Sequence, residues 1–190
     1  MKSRLKLVAA VAVLATATVA TAMIATGATA HDRAGLKLRA KMTGYEEIPT
    51  LSTAGKGVFK ASLNRAGTAI TFTETYSGPF DANPAGGTVT QSHIHFGARA
   101  VAGGISAFLC TNLGNGPAGT PACPVPGGTV TGVITPASVI GPAGQGISAG
   151  EFAELIRAIR SGNAYVNVHT TTFPAGEIRG QLSVDKRGKH

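Results

Sequence analysis

The chain has 190 residues, with 17 Lys and Arg against 9 Asp and Glu, a formal charge of +8. Trp is absent, aromatics are scarce and Gly numbers 26, a pattern that excludes coiled coils and helical bundles. No Walker loop, Rossmann fingerprint or internal repeat occurs.

The first thirty residues read as a secretory leader. Lys2, Arg4 and Lys6 precede an uncharged run from Leu7 to Ile24, and Ala28-Thr29-Ala30 offers a cleavage site after Ala30. The run is diluted by Ala and Thr, so no stable membrane span is expected after cleavage. Cleavage would leave 160 residues carrying +5, enough for one domain with a proper core. Three of the remaining cations, Lys186, Arg187 and Lys189, sit in a basic tail over 185–190. The folded body is thus nearly balanced, and the high pI is no argument for nucleic-acid binding. The expected location is secreted or periplasmic. Residues 31–35 read as a flexible N-terminus, and the domain as 36–184.

Leu36, Leu38, Ala40 and Met42 alternate with Lys37, Arg39 and Lys41, the period of a half-buried strand. Val58 to Leu63 and Ile70 to Thr75 repeat the alternation around a turn at Asn64 to Gly67. Glu74 falls in phase with Ile70 and Phe72, which leaves open a strand end, a bulge or a buried carboxylate. Further strands are expected at Val89–Phe96, Ile105–Cys110 and Thr129–Thr135. Cys110 and Cys123 flank a Gly/Pro/Asn-rich loop. In an exported protein they are expected to pair, contributing about 2–3 kcal/mol in the chain-entropy model. A free thiol pair and a metal site are the rival readings, and the latter lacks a neighbouring His. Ser148 and Glu151 suggest a capping box. Phe152, Leu155, Ile156 and Ile159 then fall at helical spacing, which predicts a helix over Ala149–Ser161 closed by Gly162. Ala164–Thr170 and Glu177–Val184 complete the series: about eight strands and one short α-helix, an all-β sandwich or barrel.

Alternation also sorts the polar residues. With Val166 and Val168 in the core, Tyr165, Asn167 and His169 point the other way. A hairpin with Val168 opposite Ile178, Asn167 opposite Arg179 and His169 opposite Glu177 matches core to core and polar to polar. Ile94 inward puts His93 and His95 together on the outward face, about 7 Å apart along the strand. Three imidazoles on outward faces, beside Glu177, Arg179, Asn167 and Tyr165, suit Cu or Zn if they converge. The same side chains equally suit a structural polar network on the surface. The sequence demands no cofactor. His31 and His190 lie at the chain ends and read as tail residues. Glu46 and Glu47 are adjacent, a poor acid/base pair, and are expected to hold the turn before Pro49.

Gly44-Tyr45-Glu46-Glu47-Ile48-Pro49, Ser92-His93-Ile94-His95, Tyr165-Val166-Asn167-Val168-His169-Thr170 and Gly176-Glu177-Ile178-Arg179-Gly180-Gln181-Leu182 resemble the CHRD (chordin) domain family over about Leu36 to Leu182. The resemblance implies a secreted Greek-key or immunoglobulin-like β-sandwich. In animal chordins such domains repeat within an antagonist of a growth factor. Bacterial members look like stand-alone secreted proteins. His93-Ile94-His95-Phe96-Gly97 is similar to the copper strand of copper–zinc superoxide dismutase, one residue short before Phe96, and His169 is similar to that family's last copper ligand. No His or Asp lies between Phe96 and Tyr165, so the bridging and zinc ligands of a dinuclear site are missing. Three functions are therefore expected in descending order. The first is a non-catalytic binding or structural module with an extracellular protein partner. The second is a mononuclear copper- or zinc-binding protein using His93, His95 and His169. The third is a dismutase-like oxidoreductase. Met42 is the one Met beyond the leader, which disfavours a Met-rich Cu(I) carrier.

Overall fold

The computed structural model describes residues 35–80 and 88–185. The leader with its Ala30 cleavage site, His31, His190 and the tail from 186 lie outside them. The strands are β1 (Lys37–Thr43), β2 (Lys56–Leu63), β3 (Ile70–Ser77), β4 (Val89–Phe96), β5 (Gly104–Thr111), β6 (Gly128–Ile134), β7 (Ala164–Thr170), β8 (Ile178–Gln181) and β9 (Ser183–Val184), with one helix, α1 (Phe152–Arg160). The antiparallel path runs β5-β4-β7-β8-β1-β2-β3-β6, and β9 pairs with β1. Ala107 in β5 bridges to Val139, just past β6, and Ile140 donates its N–H to Ser106 O at 2.9 Å. The two ends of the path therefore meet, and the sheet is nearly closed.

The period-two residues face inward. Leu38, Ala40 and Met42 of β1, Phe59 and Leu63 of β2, and Ile70, Phe72 and Tyr76 of β3 are all buried. Phe59 and Phe72 stack with centroids 5.9 Å apart. α1 closes over the core with Phe152, Leu155, Ile156, Ala158 and Ile159. It starts at Phe152 rather than Ala149. Glu151 stands at the N-cap, and its carboxylate accepts the Ser148 N–H at 2.6 Å. The helix ends as expected: Gly162 has φ +76°, and Asn163 N–H reaches Ala158 O at 2.9 Å. Cys110 and Cys123 form a disulfide. No helix among the described residues is long and apolar enough to cross a membrane.

Two neighbours of β7 fix the geometry that follows. β7 lies between β4 and β8. Asn167 faces Arg179 and Val168 faces Ile178 across one side. His93 faces Asn167 and His95 faces Tyr165 across the other. The hairpin register is the one that keeps core opposite core. Gly180 is where β8 passes β1 most closely, since a Cβ there would lie 2.1 Å from Lys41 O.

Candidate metal centre

The three histidines converge, but they are not on the surface. His93 is 0 % exposed, His95 6 % and His169 5 %. All of β7 is buried. The alternation does turn these rings away from the main apolar cluster, which contains Ile94, Val166 and Val168 but neither Phe108 nor Tyr165, the buried aromatics that touch His93 and His95. The second face, however, is roofed by chain instead of water. One stretch of roof follows β1, where Gly44–Glu46 forms a single 3₁₀ turn; the other, between β4 and β5, supplies Gly97 to Gly103. The expected surface network is therefore a buried one.

Each ring has a defined neighbour. His95 Nδ1 lies 2.8 Å from Gly103 O, and His169 Nδ1 lies 2.9 Å from Pro174 O. A carbonyl only accepts, so both Nδ1 atoms carry the proton and both Nε2 atoms keep a lone pair. His93 Nδ1 sits 3.0 Å from His169 Nε2 and so donates to it. One ring nitrogen from each histidine lies within 4.8 Å of the others, a group able to hold a metal ion. His93 Nε2 and His95 Nε2 are buried with no hydrogen-bond partner among the described residues, and so is Asn167 Oδ1. Buried polar atoms are rarely left so.

The surroundings are aromatic and tight. His93 meets the edge of Phe108 at 4.4 Å, and His95 stacks on Tyr165 at 4.8 Å. Burial pushes His93 down to about 2 and His95 to about 4, and it lowers His169 as well. All three imidazoles are neutral at pH 7, as metal ligation requires.

Arg179, Tyr165 and Gln181 position the roof. The Arg179 guanidinium donates to Ala98 O and Val101 O, each at 3.0 Å, and lies 3.4 Å from the Tyr165 ring centroid. The Tyr165 hydroxyl accepts the Gly103 N–H at 3.1 Å. Gln181 Nε2 donates to Gly97 O at 3.0 Å. Both bonds leave the same nitrogen, Nη2, while the guanidinium lies over the Tyr165 ring, and a lysine ammonium cannot join in-plane donors to a stacked flat face in this way. Arg179→Lys is expected to cost about 1.5–3 kcal/mol. Amide exchange should rise across residues 98–103 while β2 and β3 stay protected, as hydrogen–deuterium exchange would show.

The carboxylate beside the histidines is Glu47, not Glu177. Asn167 Nδ2 points to Glu47 Oε1 at 3.4 Å, and Glu47 is buried. Burial pushes its carboxyl up to about 7, opposed by Asn167 and Arg179. Glu177 instead accepts from Thr53 Oγ1 at 2.6 Å and from Thr170 Oγ1 at 2.7 Å. Thr170 has the opposite parity to His169 in β7, so that carboxylate lies on the other side of the sheet. The ladder stops at Val168 and Ile178, one residue short of pairing Glu177 with His169. Glu46, by contrast, is exposed and pairs with Arg99. The adjacent carboxylates thus divide between surface and interior. Gly176 lets Glu47 in: its φ is +129°, and a Cβ there would lie 2.5 Å from Glu47 Oε1 and 2.4 Å from Asn167 Nδ2. Neither Glu47 nor Phe108 was signalled by strand periodicity, because one sits in a turn and the other packs beside His93 across a bulged ladder.

The CHRD domain family matches residues 38–182, a stretch that holds the eight-strand path from the second residue of β1 onward and all three histidines. The chain belongs to the CHRD domain family. No curated protein and no solved structure matches it. Within this CHRD domain the Gly176–Leu182 segment now has a structural meaning. Gly176 admits Glu47, Ile178 enters the core, Arg179 and Gln181 hold the roof, and Gly180 lets β8 pass β1. The dinuclear ligand set of a superoxide dismutase has no counterpart, since the single metal-competent group among the described residues is the three histidines.

Proposed function

We propose that this CHRD-domain protein is an exported, mononuclear metal-binding module that holds Cu or Zn through His93, His95 and His169. The observation that carries the reading is the convergence of three neutral, buried imidazoles, two of them with an Nε2 that has no partner among the described residues. The carbonyls of Gly103 and Pro174 orient two of the rings, the usual device for presenting imidazole to a metal. The 3.0 Å gap between His93 and His169 is close to the ~3.3 Å edge of a tetrahedron of Zn–N bonds. Ligation through His93 Nδ1 would move the proton that now lies between the two rings to His93 Nε2, so that His93 would bind as a neutral imidazole. Nitrogen donors suit Cu(II) or Zn(II), and Met42 is buried in the core and gives no soft ligand. The leader-like start and the disulfide support an oxidising compartment. The role assigned is binding, not turnover.

Protein purified without a His tag, loaded with Cu(II) or Zn(II) and desalted, should retain about one equivalent by elemental analysis. His95→Ala should retain less than about 0.1 equivalent. Retention below that level in the wild-type protein would overturn the reading.

A further inference from the structure

The outer face of β1, β2, β3 and β6 has a different chemistry from that of β4 and β7. Inward and outward residues alternate strictly along β2 and β3. The outward set of β1 and β2 contains Lys37, Arg39, Lys41, Lys56 and Lys60. All are exposed except Arg39, which is half-buried. Beyond them β3 and β6 present Thr71, Thr73, Thr75, Thr129 and Thr131, all exposed, and Thr75 and Thr129 bond through their hydroxyls at 2.9 Å. A groove of about 570 Å³ runs along this face, and its one acidic lining residue is Asp185, paired with Arg39.

The register is electrostatically unfavourable by itself. Arg39 sits directly opposite Lys60, with Lys41 one position further along the outward row. Like charges opposed across an antiparallel pair repel. The exposed acids Glu46 and Glu151 and the half-buried Glu154 lie outside the groove lining, so the balanced net charge conceals a segregated one. A grooved, basic, hydroxyl-rich face whose cations repel one another fits an extended partner that brings closely spaced anions and many hydroxyls.

We infer that this face binds a linear acidic polysaccharide carrying carboxylate or sulfate groups. The cations neutralise its charges, and the threonine rows contact its hydroxyls. A membrane surface is the poorer match. The exposed large apolar side chains on these strands are Val58 and Val133, and no aromatic accompanies them to enter the headgroup region. Nucleic acid is also a poorer match, because the face offers no aromatic platform for bases and one arginine among four lysines.

The test is retention on immobilised polygalacturonate and dextran sulfate, with neutral dextran as the blank. Two charge-matched variants are compared: Lys41→Gln/Lys60→Gln on the sheet and Arg157→Gln/Arg160→Gln on the helix. Melting temperatures confirm that both are folded. Wild-type protein should bind both acidic matrices and release with rising salt. The sheet variant should lose about tenfold in affinity and the helix variant less than about twofold. Equal losses in the two variants would reduce the effect to net charge and overturn the inference. So would tighter binding to phosphatidylglycerol vesicles or to duplex DNA than to either polysaccharide.

Discussion

His93→Leu is expected to leave the metal-free protein about as stable as wild type and to abolish its stabilisation by metal. The His93 ring is fully buried against Phe108, and its Nε2 has no partner. An unmatched buried polar atom costs about 1–3 kcal/mol. Leucine removes that atom and adds apolar contact with Phe108. It also strands His169 Nε2, which loses the 3.0 Å bond from His93 Nδ1, so the two effects nearly cancel. The predicted change in unfolding free energy of the metal-free protein is therefore within about 1 kcal/mol of zero. Metal-loaded wild type should gain about 2.7 kcal/mol at a free ion concentration one hundred times Kd. His93→Leu should gain nothing. Denaturant titrations with and without Zn(II) measure both quantities. A purely structural network predicts the reverse: a substantial loss in the metal-free protein and no metal effect in either. His93 is chosen because His95 and His169 each hold a backbone carbonyl as well, so removing either would mix two effects.

Much of the fold could be read from the chain because strand parity survives folding along most strands, the ladders of β4 being bulged. β4 and β7 fall at their expected bounds, and the β7–β8 register follows from matching Val168 with Ile178. Parity also says which side of a strand a histidine takes. It cannot say what covers that side. The outward residues of β1 to β3 are mostly Lys, Thr and Ser, which are stable in water, with Arg39 and Val58 among them. Those of β4 and β7 are His, Asn and Tyr, with no Lys among them. That contrast was a legible sign that the second face is roofed, because a buried face tolerates groups that pair or lose their charge and rejects a lysine ammonium. The roof itself comes from two irregular stretches with no period. The pairing of β4 with β7 crosses a long span of sequence that no local pattern encodes. Glu47 was hidden for the same reason. Its sequence context is that of a turn residue, and only the path of the chain after β1 turns its carboxyl inward while Glu46 goes out to Arg99. Glu177 was the natural choice from parity, but the ladder ends one residue before it.

Glu74→Gln is expected to remove the alkaline loss of stability, and the sign follows from where the proton sits. Glu74 is fully buried in phase with Ile70 and Phe72, so of the three readings of this residue the buried carboxylate holds. Ser92 donates to Oε1 at 2.7 Å, and Oε2 has no partner. Burial pushes the carboxyl up to about 8, with the Ser92 bond opposing it. The folded state therefore holds a proton that the unfolded chain releases near 4.5. Its contribution is fully present below 4.5 and erodes as pH rises through about 8, at a slope approaching about 1.4 kcal/mol per pH unit within the window. Glutamine keeps the acceptor for Ser92 and cannot ionise, so that slope disappears. The histidines act with opposite sign. Their folded values lie below the ordinary 6.5, near 4 for His95 and near 2 for His93, so their contribution is present above 6.5 and is lost as pH falls through those values. Stability of the metal-free wild type should peak between the two limbs. In Glu74→Gln the rise between 4.5 and 6.5 should steepen, because Glu74 no longer opposes the histidines there, and the alkaline limb should flatten to the smaller slope left by Glu47, whose carboxyl is raised to about 7. Urea unfolding at a series of pH values from 4 to 9 measures both limbs. A variant with the wild-type alkaline slope would show that Glu74 is already ionised in the folded protein, its charge held by something other than Ser92.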